Sequence, residues 1–176
     1  MDIRQFWQLV DDAREQVPDP ADSEAVAARA RGLLAEQSPE RIVAAQQVLW
    51  DLMAASYRAP LWAAAHLING GCSDDGFAYF RGRLITLGRE VFDRAVADPD
   101  SLAVLPAVRA ACTGTGPDLD GEAVLGIAWG AHLSATGEEL PAAAFTVRYP
   151  DLDPAWRFGF DDTARVARHL PALAAL

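Results

Sequence analysis

Apolar residues recur along most of this chain at spacings of three and four, the repeat of a helix with one buried face. Ile3, Phe6, Trp7, Val10 and Val17 share such a face, and Asp2 stands where a helix cap belongs. Pro18-Asp19-Pro20 closes the segment, because proline cannot continue a helix and restricts the residue before it. A second helix is expected from about Asp22 to Glu36. Ser38-Pro39-Glu40 then gives a start signal: a capping hydroxyl, proline at the first helical position and an acid in the first turn. Ile42, Ala45, Leu49, Leu52, Met53 and Ser56 carry that third helix to about Tyr57, with Gln46, Gln47, Trp50 and Asp51 off the stripe.

Pro60 opens a fourth helix with Leu61, Ala64, Ala65 and Ile68 on one face and Trp62, His66 and Asn69 on its flank. Gly70-Gly71 ends it, the first glycine suiting the left-handed position after a helix. Ser73 caps the fifth, with Asp74 and Asp75 where the macrodipole favours acids. Phe77, Phe80, Arg81, Leu84, Ile85 and Leu87 run on to Gly88. Shorter helices are expected over 90–97, over 102–112 with a reset at Pro106, over 122–136 stopped by Gly137, and from Asp161 or Asp162 to Leu170, where Pro171 ends the last one.

Residues 113–121 read as a Gly/Asp/Pro loop. The 138–159 stretch is irregular, since Pro141, Pro150 and Pro154 argue against a long helix; within it Phe145-Thr146-Val147-Arg148-Tyr149 fits one short strand. About eight helices joined by short turns predict an all-α fold: one multi-helix domain over 1–176, with no internal repeat.

Composition narrows the classes. The chain has 176 residues, 51% of them apolar, enough for a real core. No apolar run approaches the ~20 residues that span a bilayer, and the first residues lead into an amphipathic helix rather than a signal-peptide core. Its two cysteines, Cys72 and Cys112, are far apart with no CxxC, so both thiols are expected reduced and the chain cytoplasmic. The net charge is −10, and all 15 bases are arginine. A chain of that charge repels phosphate backbones, so nucleic acid is not expected as a partner unless arginines such as Arg81, Arg83, Arg89 and Arg94 line one face.

The Gly70–Arg81 segment is the most specific local pattern. It supplies the candidate binding residues Trp62, His66, Asp74, Asp75, Tyr79 and Arg81. Adjacent carboxylates beside a histidine suit a hard or borderline cation, yet neighbours on a helix diverge by about 100°, so Asp74 and Asp75 do not converge on one ion unaided. Capping chemistry accounts for the same turn without any ligand. Arg81, between Phe80 and Leu84, needs a partner if buried; Asp74, Asp75, Asp98 and Asp100 are the acids within reach. Cys72, just ahead of a helix N-terminus, is a candidate reactive thiol, but no histidine is placed beside it. His66, His132 and His169 form no HxxxH or HExxH pattern, Ser73 lacks a GxSxG context, and Gly114-Thr115-Gly116-Pro117 lacks the lysine and preceding strand of a phosphate loop. No catalytic set, metal site or cofactor is assigned. Five tryptophans read as core and flank packing. Trp156-Arg157-Phe158-Gly159-Phe160 beside Asp161-Asp162 either covers the bundle or forms an edge for a partner.

The segment from Ala65 to Ile85, with its AHLINGGCSDDGFAYFRGRLI sequence, resembles the DUF4240 family, a bacterial family of unknown function. Phe6-Trp7, Gly88-Arg89-Glu90-Val91-Phe92, Asp98-Pro99-Asp100-Ser101-Leu102, and Phe160-Asp161-Asp162 with Leu170-Pro171 are similar to its other landmarks. The resemblance is firm over 1–103 and looser beyond. It implies an α-helical domain and no assigned activity; relatives fused to other modules favour an interaction role. One departure is Arg83, where the family usually has Trp: if that Trp packs against a neighbour, the arginine's aliphatic stem must supply the surface, and if it belongs to a binding surface, that surface is altered here. The expected role is a protein–protein interaction module with an acidic helical surface, of which an inhibitor or immunity protein is one case. The alternative is an enzyme or small-ligand binder with a polar pocket around Gly70–Asp75.

Overall fold

The computed structural model describes residues 1–156 and 158–176. Among them the chain forms eleven α-helices, three 3-10 turns and no strand. The helices are α1 (Ile3–Glu15), α2 (Ser23–Ala35), α3 (Pro39–Ala55), α4 (Ala59–Ile68), α5 (Asp74–Thr86), α6 (Arg89–Ala97), α7 (Pro106–Cys112), α8 (Glu122–Leu125), α9 (Ile127–Thr136), α10 (Thr163–His169) and α11 (Pro171–Ala174). The all-α expectation holds, with more helices than the periodicity separates. Gly126 splits 122–136 in two, and Pro106 resets 102–112, leaving a 3-10 turn over Pro99–Val104 ahead of α7. The helix capped by Asp162 ends before Pro171 as expected, but Pro171 also opens a further short helix, α11, whose Ala172 and Leu173 N–H groups both bond to the Asp100 carboxylate, at 3.0 and 2.9 Å. No helix among the described residues is long and apolar enough to cross a membrane.

Local capping decides several boundaries. Asp2 accepts from the Gln5 N–H at 2.8 Å, and Gln5 Oε1 accepts from the Asp2 N–H at 3.0 Å, a complete capping box. Asp22 caps α2 and Asp162 caps α10 through the N–H groups of Ala25 and Arg165. Ser38 occupies the cap position of α3, yet its hydroxyl makes no bond to the backbone. It turns to the Glu40 carboxylate, holding that group below its ordinary value.

The expected strand over 145–149 does not form, because no second strand lies beside it. Its hydrogen bonding goes to one side chain instead. Gln47 Oε1 accepts from the Thr146 N–H at 2.8 Å, and Gln47 Nε2 donates to the Thr146 carbonyl at 3.2 Å. One N–H and the oxygen of a glutamine amide match the acceptor and donor of a peptide group, so Gln47 satisfies one residue of extended chain without a ladder.

α5 sits in the middle of the molecule. Phe77, Phe80, Arg81, Gly82, Arg83, Leu84, Ile85 and Thr86 are all buried, so its last two turns are enclosed on every side. α2 packs against α1 and α9, α3 also meets α9, and α8 lies on α5. One cluster of buried apolar residues extends from Phe6 to Leu173. The α5–α8 contact is made by backbone: a Cβ on Gly82 would stand 2.5 Å from the Gly121 carbonyl oxygen, and one on Gly121 would stand 2.4 Å from the Arg83 nitrogen. Gly82→Ala and Gly121→Ala should each destabilise the protein by about 1–3 kcal/mol or more in urea unfolding, the penalty of forcing atoms into a filled space. Gly32→Ala, inside α2 with its nearest neighbour a flexible arginine tip at 3.6 Å, should instead stabilise by about 0.5–1 kcal/mol. Equal effects at all three positions would refute the close approach.

Candidate functional site

The turn between α4 and α5 folds as its residues require. Asn69 closes α4, Gly70 takes the left-handed conformation at φ 66°, and the Gly71 N–H returns to the His66 carbonyl at 2.9 Å. The Ser73 hydroxyl accepts from the Gly76 N–H at 3.1 Å and caps α5. Asp74 and Asp75 occupy the first turn, both exposed. Asn69 also reaches outward: its side-chain amide accepts from the Leu119 N–H at 3.0 Å and donates to the Leu119 carbonyl at 3.3 Å, fastening the 113–121 loop.

Of the six candidate residues, Trp62 and Arg81 both lie against Phe77. Trp62 stacks on Phe77, centroids 4.8 Å apart and planes 11° from parallel, and its indole N–H donates to the Cys72 carbonyl at 3.1 Å. The Arg81 guanidinium lies 4.6 Å from the Phe77 ring centre and 5.1 Å from that of Tyr57. It is only 2% exposed. Burial pulls its pKa down to about 10, so it remains a cation at neutral pH.

No acid serves as its partner among the described residues. Asp74 and Asp75 are in solvent, Asp98 is exposed, and Asp100 caps α11. Arg81 Nη1 donates instead to the Met53 carbonyl at 2.6 Å, and Nε to the Phe77 carbonyl at 3.1 Å. The reason lies in α3. The Tyr57 N–H bonds to Ala54, so the Met53 carbonyl near the end of that helix lacks its usual partner. A helix C-terminus carries partial negative charge, and here it takes the place expected of a carboxylate. Two aromatic faces supply the remaining attraction.

Asp75 and Tyr79 belong to another side of α5. The Glu122 carboxylate beside Tyr79 pushes its phenol above the ordinary value, with Asp75 and Asp120 adding to the effect. Asp74 lies nearer Cys72, whose half-buried thiol is pushed up by burial to about 11. The expected activation by the helix N-terminus is outweighed by loss of solvent, and Cys72 is a neutral thiol at physiological pH.

His66 faces chain from far along the sequence. Its Nε2 is 3.4 Å from Asp161 Oδ1, and its ring centre is 6.0 Å from that of Phe160. Phe160 also lies 6.1 Å from Trp62, and Tyr149 meets Tyr57 edge-on at 5.3 Å. The aromatic segment near the C-terminus therefore covers the bundle at this point. Trp156 and Phe158 pack with His169; Arg157 lies outside the described residues.

A second feature is a groove of about 520 Å³ where the 113–121 loop faces the start of α2, with Asp19, Asp22, Glu24, Asp118 and Asp120 along it. Arg83 forms part of its wall, 6% exposed. Its Nη2 donates to the Ala21 carbonyl at 2.7 Å and its Nη1 to the Thr86 hydroxyl at 3.2 Å. The side chain is largely enclosed, with its guanidinium bonded to a backbone carbonyl and a hydroxyl.

A family model described as a protein of unknown function matches residues 1–132. The chain belongs to the DUF4240 family. No curated protein and no solved structure matches it. The DUF4240 match contains all six candidate residues and both arginines of α5. It stops before Tyr149, Phe160 and Asp161, which lie over Tyr57, Trp62 and His66. Sequence reasoning does not find Gln47, Tyr57 or the Met53 carbonyl. Gln47 is visible only as a polar residue off the apolar stripe, and a main-chain acceptor has no sequence signal at all.

Arg81→Ala should destabilise the protein by about 3 kcal/mol or more, since it takes the nearer of two donors from the Met53 carbonyl, leaving only the Ser56 hydroxyl at 3.3 Å, and opens a space between two rings. Arg81→Met should lose less, because it keeps the packing; equal losses in urea unfolding would show that packing contributes nothing. For the thiol, a pKa near 11 leaves about a hundredfold fewer thiolates at pH 8 than an unperturbed cysteine has. In a Cys112→Ser background, an aromatic disulfide reagent should modify native Cys72 about a hundredfold more slowly than the urea-unfolded chain. Comparable rates would place an active thiolate there.

Proposed function

We propose that this DUF4240 chain is a cytoplasmic protein-interaction module that docks a basic protein partner on its acidic helical surface. The observation that carries the reading is the groove beside Arg83, where five carboxylates come together from α2, the segment ahead of it and the 113–121 loop. Complementary fields of this kind raise association rates and select partners by charge. An inhibitor or immunity role is one form such a module takes.

Two further observations support a basic protein over nucleic acid or a small ligand. The arginines that could have formed a basic face do not: Arg81 and Arg83 are buried, and on α6 Arg89 pairs with Asp93 at 3.2 Å and Arg94 with Glu90 at 2.5 Å. A small-ligand pocket at the α4–α5 turn would need room beside Arg81, and the guanidinium is packed between Tyr57 and Phe77.

The test replaces Asp19, Asp22, Asp118 and Asp120 together by asparagine. Asn also caps helices and turns well, so the bonds these residues make to the N–H groups of Ala21, Ala25 and Glu122 have a substitute. A basic protein captured by the native chain should bind the variant at least tenfold more weakly, with a shallower dependence on salt, while the melting temperature changes little. A partner that binds both forms alike, or one whose binding ignores salt, would sink the reading.

A further inference from the structure

Between Leu140 and Val166 no described residue is buried. Holding that much chain in one path costs about 1–2 kcal/mol of backbone entropy per residue, and Phe145, Trp156, Phe158 and Phe160, which pack it against the core, are each only partly buried. Tyr149 is 63% exposed, and the Asp161 side chain 96% exposed. A segment so attached opens locally without unfolding the molecule.

The surface beneath it is not merely apolar. Gln47 is held in place by a bond from its Nε2 to Asp51 at 2.9 Å, and it presents one donor and one acceptor to extended backbone. Tyr57 offers a ring to an aromatic side chain, and Trp62 and His66 together receive an aromatic ring with a carboxylate next to it. The Tyr149-Pro150 step keeps the occupant extended, because a residue before proline is held out of the helical region. Each position reads a different property: backbone, ring, ring and charge.

We infer that Gln47, Tyr57, Trp62 and His66 form a docking face for an extended polypeptide bearing aromatic side chains and a carboxylate, and that Thr146, Tyr149, Phe160 and Asp161 occupy it as parts of a tethered strap which such a segment of a partner displaces. Tethering gives the strap an effective concentration on the order of millimolar, so the face is covered at rest and opens to a competitor. The face shares no residue with the acidic groove, so the two readings stand or fall separately.

The experiment uses the full chain carrying Tyr149→Ala, Phe160→Ala and Asp161→Ala, all changes in the strap. The probe is a fluorescein-labelled synthetic peptide with the sequence of residues 143–162, monitored by anisotropy. It should bind the triple variant at least tenfold more tightly than the native chain. Adding Gln47→Ala to the variant, or placing the three alanines in the peptide, should each weaken binding about tenfold. Hydrogen exchange on the native chain gives a second reading: amides of 145–161 should exchange at least tenfold faster than those of α3 and α5. Equal affinity for native and variant chains overturns the inference, as does binding indifferent to Gln47. A triple variant that fails to fold, or strap amides that exchange only together with the core, overturns it as well.

Discussion

The enclosure of α5 is the constraint to which the other features answer. A helix surrounded on every side must be apolar all round or must find a partner for each polar group it buries. α5 carries two arginines into that position. Their guanidiniums are met by main-chain carbonyls and aromatic faces: Met53 and Phe77 for Arg81, Ala21 for Arg83. Carbonyl oxygens carry only partial charge, so they neutralise a cation less than a carboxylate does. They also add no second ion that must be stripped of water. The neighbouring elements must then end in particular places. α3 must stop so that the Met53 carbonyl is free, and residue 21 must precede α2 in a turn that presents its oxygen inward.

The same enclosure explains the glycines at the α5–α8 contact. With Gly82 facing Gly121, two backbones approach closely enough to leave no room for a side chain on either. The 113–121 loop is thereby drawn onto α5, and Asn69 fixes it at Leu119. Asp118 and Asp120 ride on that loop, so the acidic groove arises from central packing rather than from any local property of the loop.

Much of this is legible in the sequence where the determinant is local. The cap at Asp2, the Gly70-Gly71 ending, the Ser73 cap and the reset at Pro106 each rest on residues within one turn of one another. The misses share the opposite property. Pro171 stops α10 as its local signature says, but the helix that starts at it is missed, because Asp100, distant in sequence, supplies the cap. The 145–149 segment has the composition of a strand and no second strand to pair with, a fact held by no residue within it. The acid expected beside Arg81 is replaced by a backbone oxygen, which every residue type carries and none announces. Of the candidate site, all six residues lie on α4 and α5, but helix geometry sends Asp75 and Tyr79 toward Glu122 and away from Trp62 and Arg81.

The two surfaces of the molecule differ in how they are held. The acidic groove is set by the start of α2 and by a loop pinned to α5. The aromatic face rests on the core, since Trp62 stacks on the buried Phe77, but its cover is held by side chains none of which is buried. The DUF4240 match ends at residue 132 and so includes the firm parts of both surfaces while leaving out the cover. Rigidity thus resides in the matched region. Beyond residue 132, Leu140 and Val166 are buried and no described residue between them is, so displacement of the strap inferred above leaves core packing at both ends undisturbed.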